Sequence, residues 1–206
     1  MLRSRRFLAV LSSSLLFLTF SSEVYGQRGA ITVPRSLAEL TSTADRIVEG
    51  KVVSARIEPH PEYKNLSTVV VTISIDENMK GTAHGSLTFR QFIWDIRDVQ
   101  NAAGYRAGEQ VFLFLNRTTP LGLTSPVGLG QGRFRVSRNR NGVLVAVNDN
   151  GNSGLFQKAI QSGALNVSQL SPKSRSAIEG FRQGAISLDA LRESVQVLLK
   201  NQARAK

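Results

Sequence analysis

Four arginines, Arg133, Arg135, Arg138 and Arg140, fall within eight residues that hold no acid. A guanidinium grips a carboxylate or phosphate through two parallel N–H donors, so the row is a candidate anion-binding surface. In extended chain Arg133 and Arg135 share a face, because side chains alternate with a period of two. The plainer reading is a solvated strand face whose charges guard a sheet edge. Trp94 and Tyr105 lie beside this chemistry in chain connections and are candidate loop contacts for a partner, as is Tyr63. Trp94 would serve equally as a plug at one end of a core.

No complete catalytic set accompanies the arginines. The two histidines, His60 and His84, stand in turn regions, and with Glu62 they fall short of the locally spaced ligand set of a zinc site. No G-x-S-x-G elbow is present. "GLGQG" (128–132) lacks the Lys-Ser/Thr of a phosphate loop and leads into a strand, so it reads as a flexible β-connection. "DNGN" (149–152) has calcium-like residues without the completing glutamate and reads as a turn. The expectation is a protein with no catalytic, cofactor-binding or metal-binding residues. Asp45, just ahead of a β-rich run, is expected to accept backbone N–H bonds where a short helix gives way to a strand.

The elements that position these residues are mostly β. "SLAELTSTADR" carries Ser36 as N-cap and Glu39 three residues on, a capping-box pattern over a helix ending near Thr43. "RIVEGKVVSARIE" predicts a long bent strand, with Gly50 marking a bulge or a close backbone approach. "STVVVTISIDE" alternates apolar and polar residues as a half-buried strand does. Further strands are expected at "SLTFRQFIW" and "QVFLFLN". A hairpin is expected from "GRFRVSR" and "GVLVAVN" around an "NRNG" turn. With no helix between strands, the pattern predicts an OB-like antiparallel barrel of five to six strands. The connections 95–109 and 117–131 are long enough to be functional loops. After a turn-rich linker at "NDNGNSG" the period becomes helical, with Ser171 capping before Pro172 and a last helix starting at Ser187. The organisation read is residues 1–26 signal peptide, 27–148 barrel domain and 149–206 helical C-terminal region.

The leader reading rests on Arg3, Arg5 and Arg6 before the apolar run 7–20, with Val24 and Gly26 at the small-residue positions of a cleavage site. A helix of that run would span about 21 Å, short of the roughly 30 Å of bilayer hydrocarbon. Export with cleavage near Gly26/Gln27 follows, to the periplasm or beyond the cell, and the mature chain is expected to hold no transmembrane helix. No cysteine occurs in the 206 residues, so neither lipid attachment through cysteine nor a disulfide framework is available. Losing three arginines and Glu23 leaves 23 basic against 14 acidic residues, a net +9. Such a surplus attracts an anionic envelope polymer, lipid headgroups or nucleic acid. Nucleic acid is the least natural partner outside the cell.

The segments "LAELTSTADRIVEGKVVSARIE", "TVVVTISIDENMKG", "YRAGEQVFLFLNR" and "GQGRFRV" together resemble exported, poorly characterised bacterial proteins. Their order looks like the netrin-like fold shared with tissue inhibitors of metalloproteinases, over residues 37–147. The resemblance implies an OB-type barrel with flanking helices. The inhibitors grip the protease zinc through an N-terminal cysteine, which this chain lacks, so no catalytic or inhibitory residue carries over. The function expected is an exported non-catalytic binding or interaction module. The alternative is an inhibitor or accessory protein of a secreted peptidase.

Overall fold

The computed structural model describes residues 33–93 and 95–204. The expected signal peptide, its cleavage site and Trp94 lie outside the described residues. The first element is helix α1 (Leu37–Thr43). Its capping box is formed: Ser36 Oγ accepts from Glu39 N–H at 3.3 Å, and the Glu39 carboxylate accepts from Ser36 N–H at 2.7 Å. Strands β1 (Arg46–Pro59), β2 (Ser67–Lys80) and β3 (Ser86–Phe92) follow. Then come the single turn of α2 (Ile96–Val99), strand β4 (Gln110–Leu115) and the hairpin of β5 (Arg133–Arg138) and β6 (Leu144–Asn148). The C-terminal part adds α3 (Gln157–Gln161), α4 (Pro172–Ile178), the two-residue β7 (Ile186–Ser187) and α5 (Leu188–Arg204).

The seven strands form one antiparallel sheet in the order β3-β2-β1-β4-β5-β6-β7. β1 is an interior strand that pairs with β2 along nearly its whole length and with β4 along its first half. Its ladder with β2 slips at three places, between Ile47 and Val48, Glu49 and Gly50, and Val52 and Ser54. Each extra residue sharpens the local twist. Gly50 is required at the second slip, since a Cβ there would sit 2.1 Å from the Ser74 carbonyl oxygen.

Each face of the sheet buries a cluster over part of its area. One carries Ile47, Phe112, Phe114 and Phe134 and is covered by α1 and the C-terminal helices through Leu37, Leu40, Leu191, Val195 and Leu198. The other gathers Val48, Val71, Ile73, Phe89, Leu113 and Leu115 from the first four strands, with Tyr105 over them. For one side chain set from β3 and β4 to share a cluster, the sheet must curl. It does not close by a strand ladder, as the sequence led one to expect. Instead the chain after β4 crosses the outer edge of β3: Thr124 N–H donates to Arg90 C=O at 2.8 Å, and Leu123 makes a single bridge to Arg90. Five or six strands closed on themselves would need β3 to find a full partner. Here a loop supplies that edge with a few bonds and leaves the other edge to β7.

"GLGQG" is not the flexible link its glycines suggested. It forms a 3-10 turn (Leu129–Gly132) whose Gln131 and Gly132 are buried. A Cβ on Gly132 would lie 2.7 Å from the Val127 backbone. The expected linker after β6 is also built in. Asn148 and Asn152 exchange backbone-to-side-chain bonds at 2.9 and 2.8 Å, and Asn152 Nδ2 reaches the Ala146 and Gly184 carbonyls. Among the described residues no helix is long and apolar enough to cross a membrane.

Candidate functional site

The arginine row divides into two pairs with different surroundings. β5 pairs with β6 through Phe134 and Asn148, and Arg135 and Val147, so continuing the register by one residue sets Asp149 opposite Arg133. Asp149 divides its carboxylate between them: Oδ2 takes Arg133 at 2.9 Å and Oδ1 takes Arg135 at 2.9 Å. Gly130 is what lets Asp149 approach, because a Cβ there would meet Asp149 Oδ2 at 2.3 Å. Two residues read as candidate anion-binding arginines therefore already hold an anion belonging to the chain.

Arg133 is also buried. Its guanidinium lies 4.6 Å from the centre of the Tyr105 ring and donates to the Ala103 carbonyl. Gly104 leaves the space, since a Cβ there would press on the Arg133 guanidinium at 3.0 Å. A cation over an aromatic face is attracted by the ring quadrupole. Tyr105, expected as an exposed loop contact, is instead 2% exposed. Its hydroxyl donates to Gln91 Oε1 at 3.1 Å. Burial pushes its phenol up to about 12, against the pull of the nearby Arg133 charge. Arg133 Nε and Glu109 Oε2 are buried without hydrogen-bond partners. The cluster thus ties the 95–109 connection to β5. It holds no nucleophile paired with a base, and its chemistry is clamping.

Arg138 and Arg140 stand at the hairpin tip. Arg138 donates to the Gly142 carbonyl at 2.7 Å, and the turn is held by Asn139 Oδ1, which accepts from Asn141 and Val143 N–H groups. Gly142 takes the positive φ of 76° that the Asn-Gly step foretold. Both arginines are exposed, and neither pairs with a carboxylate among the described residues.

His60 is buried rather than lying on the surface of its turn. Its Nδ1 accepts from Glu62 and Tyr63 N–H at 3.2 Å each, which leaves Nε2 to donate to Leu121 C=O at 2.8 Å. The ring therefore fastens the β1–β2 turn to the 117–126 loop. His84 is exposed. Among the described residues no group of three or more His, Asp or Glu is placed to hold a metal ion. The Asp45 carboxylate faces Arg46 at 3.7 Å and Arg117 at 3.6 Å rather than the backbone amides expected, while its own N–H donates to Leu115 C=O at 2.8 Å.

Sequence reasoning missed Glu49. This carboxylate is 2% exposed, accepts from Gln110 Nε2 at 2.9 Å, and pairs with Arg192 of α5 at 2.9 Å. Arg192 also meets Glu77 at 2.9 Å and Asp189 at 3.4 Å. An acid at an inward position of a strand was the available signal.

Comparison with protein-family models, with curated proteins and with solved structures returns no match for this chain.

Proposed function

We propose that this chain is an exported, non-catalytic binding module of OB-like build that associates with an anionic envelope polymer. The observation that carries the reading is the exposed hairpin tip, where Arg138 and Arg140 project without a carboxylate partner among the described residues. The overall basic surplus adds long-range attraction to it. The OB-like and netrin-like reading is supported by the order β3-β2-β1-β4-β5 around a bent first strand, with the 117–126 loop in place of a closing ladder. Association through exposed charge is screened over about 8 Å at physiological salt. Binding to an acidic polysaccharide matrix should therefore weaken steeply as salt rises. The double variant Arg138→Gln and Arg140→Gln should elute at lower salt with its thermal midpoint nearly unchanged, because exposed charges contribute little to stability. Elution of that variant at the parent's salt concentration would rule the tip out.

A second reading, an inhibitor or accessory protein of a secreted peptidase, is favoured by the 117–122 loop. The Arg117 side chain is 88% exposed, yet the loop is pinned on every side. Asn116 Nδ2 donates to Ser125 C=O at 3.1 Å, Thr119 exchanges bonds with Leu123, and His60 holds Leu121. A loop ordered in advance loses little entropy on docking. Micromolar protein should then slow an arginine-specific peptidase while the 117–118 bond stays intact. Rapid cleavage after Arg117 would make it an ordinary substrate.

A further inference from the structure

The slips in the β1–β2 ladder have a joint product on the outside of the sheet. At the slip between Glu49 and Gly50, Glu49 pairs with Glu77 and Gly50 with Ile75, so Asp76 is the extra residue of β2. At the slip between Val52 and Ser54, Val52 pairs with Ile73 and Ser54 with Thr72, so Val53 is the extra residue of β1. Bulges re-aim side chains. Both extra residues line one groove of about 500 Å³, together with Lys51, Ser74, Gly108 and Gln110. Ser74, Lys51 and Gln110 are cross-strand neighbours and form its floor in a row. The far wall is the turn before β4, held by Gly108 N–H to Val52 C=O and Val52 N–H to Glu109 C=O, both at 2.8 Å.

Most acids on this part of the molecule are engaged: Glu49 and Glu77 with Arg192, and Asp189 with Arg192 and Lys173. Lys51 and Asp76 differ. Both are exposed in the groove, and neither has an ion pair or a hydrogen-bonded partner among the described residues. Val53 beside them is 57% exposed, a large aliphatic side chain left bare on the face opposite buried Val52. One free cation, one free anion and one bare aliphatic side chain are thus set in a single concavity by two ladder irregularities.

We infer that this groove binds the two charged ends of a short peptide, with Lys51 taking the carboxylate, Asp76 the ammonium group and Val53 an apolar side chain. Lys51 and Asp76 stand in a diagonal cross-strand relation, roughly 7 Å apart at the backbone. An extended dipeptide spans about 7 Å. A groove of this size is within the range that small ligands use. The site is separate from the hairpin tip, so it stands or falls independently of polymer binding.

The test is titration of the folded, isotope-labelled protein with alanyl-valine, followed by amide chemical shifts. Saturable shifts confined to residues 51–53, 74–76 and 108–110 are expected. N-acetylated and C-amidated versions of the dipeptide should each bind about tenfold more weakly, as should the variants Lys51→Gln and Asp76→Asn toward the free dipeptide. Thermal midpoints of both variants should match the parent, since both groups are exposed. Equal binding of free and doubly blocked dipeptide would overturn the proposal, as would shifts spread over the surface or their absence at tens of millimolar peptide. Equal shifts from acetate alone would also overturn it, leaving Lys51 as a simple anion contact.

Discussion

Arg133 and Arg140 differ only in what surrounds them, and the difference sets opposite outcomes for the same substitution. Arg133 has a side chain 11% exposed, tied to Asp149, Ala103 and the face of Tyr105. Arg133→Gln removes the cation and leaves Asp149 with one partner in a half-buried place, a loss of about 3 kcal/mol. Arg140→Gln should stay within about 0.5 kcal/mol of the parent. Urea midpoints at constant slope read both changes, and equal midpoints would show that the Arg133 cluster contributes nothing. This pairing was within reach of the sequence. The "NRNG" turn fixes the hairpin register, and carrying it one residue past Asn148 sets Asp149 across from Arg133. Tyr105 was not within reach, because nothing local tells a buried loop tyrosine from an exposed one. Glu49 was masked for another reason: its partner Arg192 lies 143 residues away.

Among the elements, α1 was the most legible, because its cap is written within four residues of sequence. Its Glu39 has a second attachment that no local pattern reveals. Lys158 of α3 donates to its carboxylate at 2.7 Å. That bond, then the Ser36 N–H, holds the Glu39 carboxyl down at about 2, below its ordinary 4.5. A lowered value means the folded state favours the ionised form. The stabilisation is therefore complete above pH 4.5 and lost as pH falls toward 2. Glu39 is more than a third exposed, so after solvent screening about 1 kcal/mol is expected. Across that window the parent's thermal midpoint should fall further than that of Glu39→Gln, and parallel curves would remove Glu39 from the account. The sheet was legible strand by strand but not in its closure. Alternation reports which face of a strand is buried, whereas closure depends on the loop that reaches the β3 edge. The two-residue β7 is too short to leave any periodicity.

At the level of the whole molecule the sheet and the C-terminal helices have one core between them. Phe112, Phe114 and Phe134 pack under Leu191, Val195 and Leu198. Cutting the chain after Asn148 would strip that face and bare three phenylalanines in an area large enough to drive association. The truncated protein should be aggregated or unfolded by circular dichroism and light scattering, and a soluble, cooperatively melting fragment of residues 27–148 would show that the sheet stands alone. Composition foretold the basic surplus but not its distribution, since eight of the ion pairs that use it among the described residues join residues more than ten positions apart. The helical period after residue 148 was plain, while the surface those helices cover was not.

The place of β1 in the middle of the sheet also has a consequence in time. The strand synthesised first finds β2 early, but β4 arrives some sixty residues later, and Arg192 reaches Glu49 across 143 residues. Contacts this distant along the chain make folding slow, because the loops must close before any of them is rewarded. Until the last helix has emerged, the buried carboxylate near the start of β1 lacks Arg192 and the phenylalanine face has only α1 to cover it. A chain that cannot finish early remains threadable, which suits the export route proposed for it.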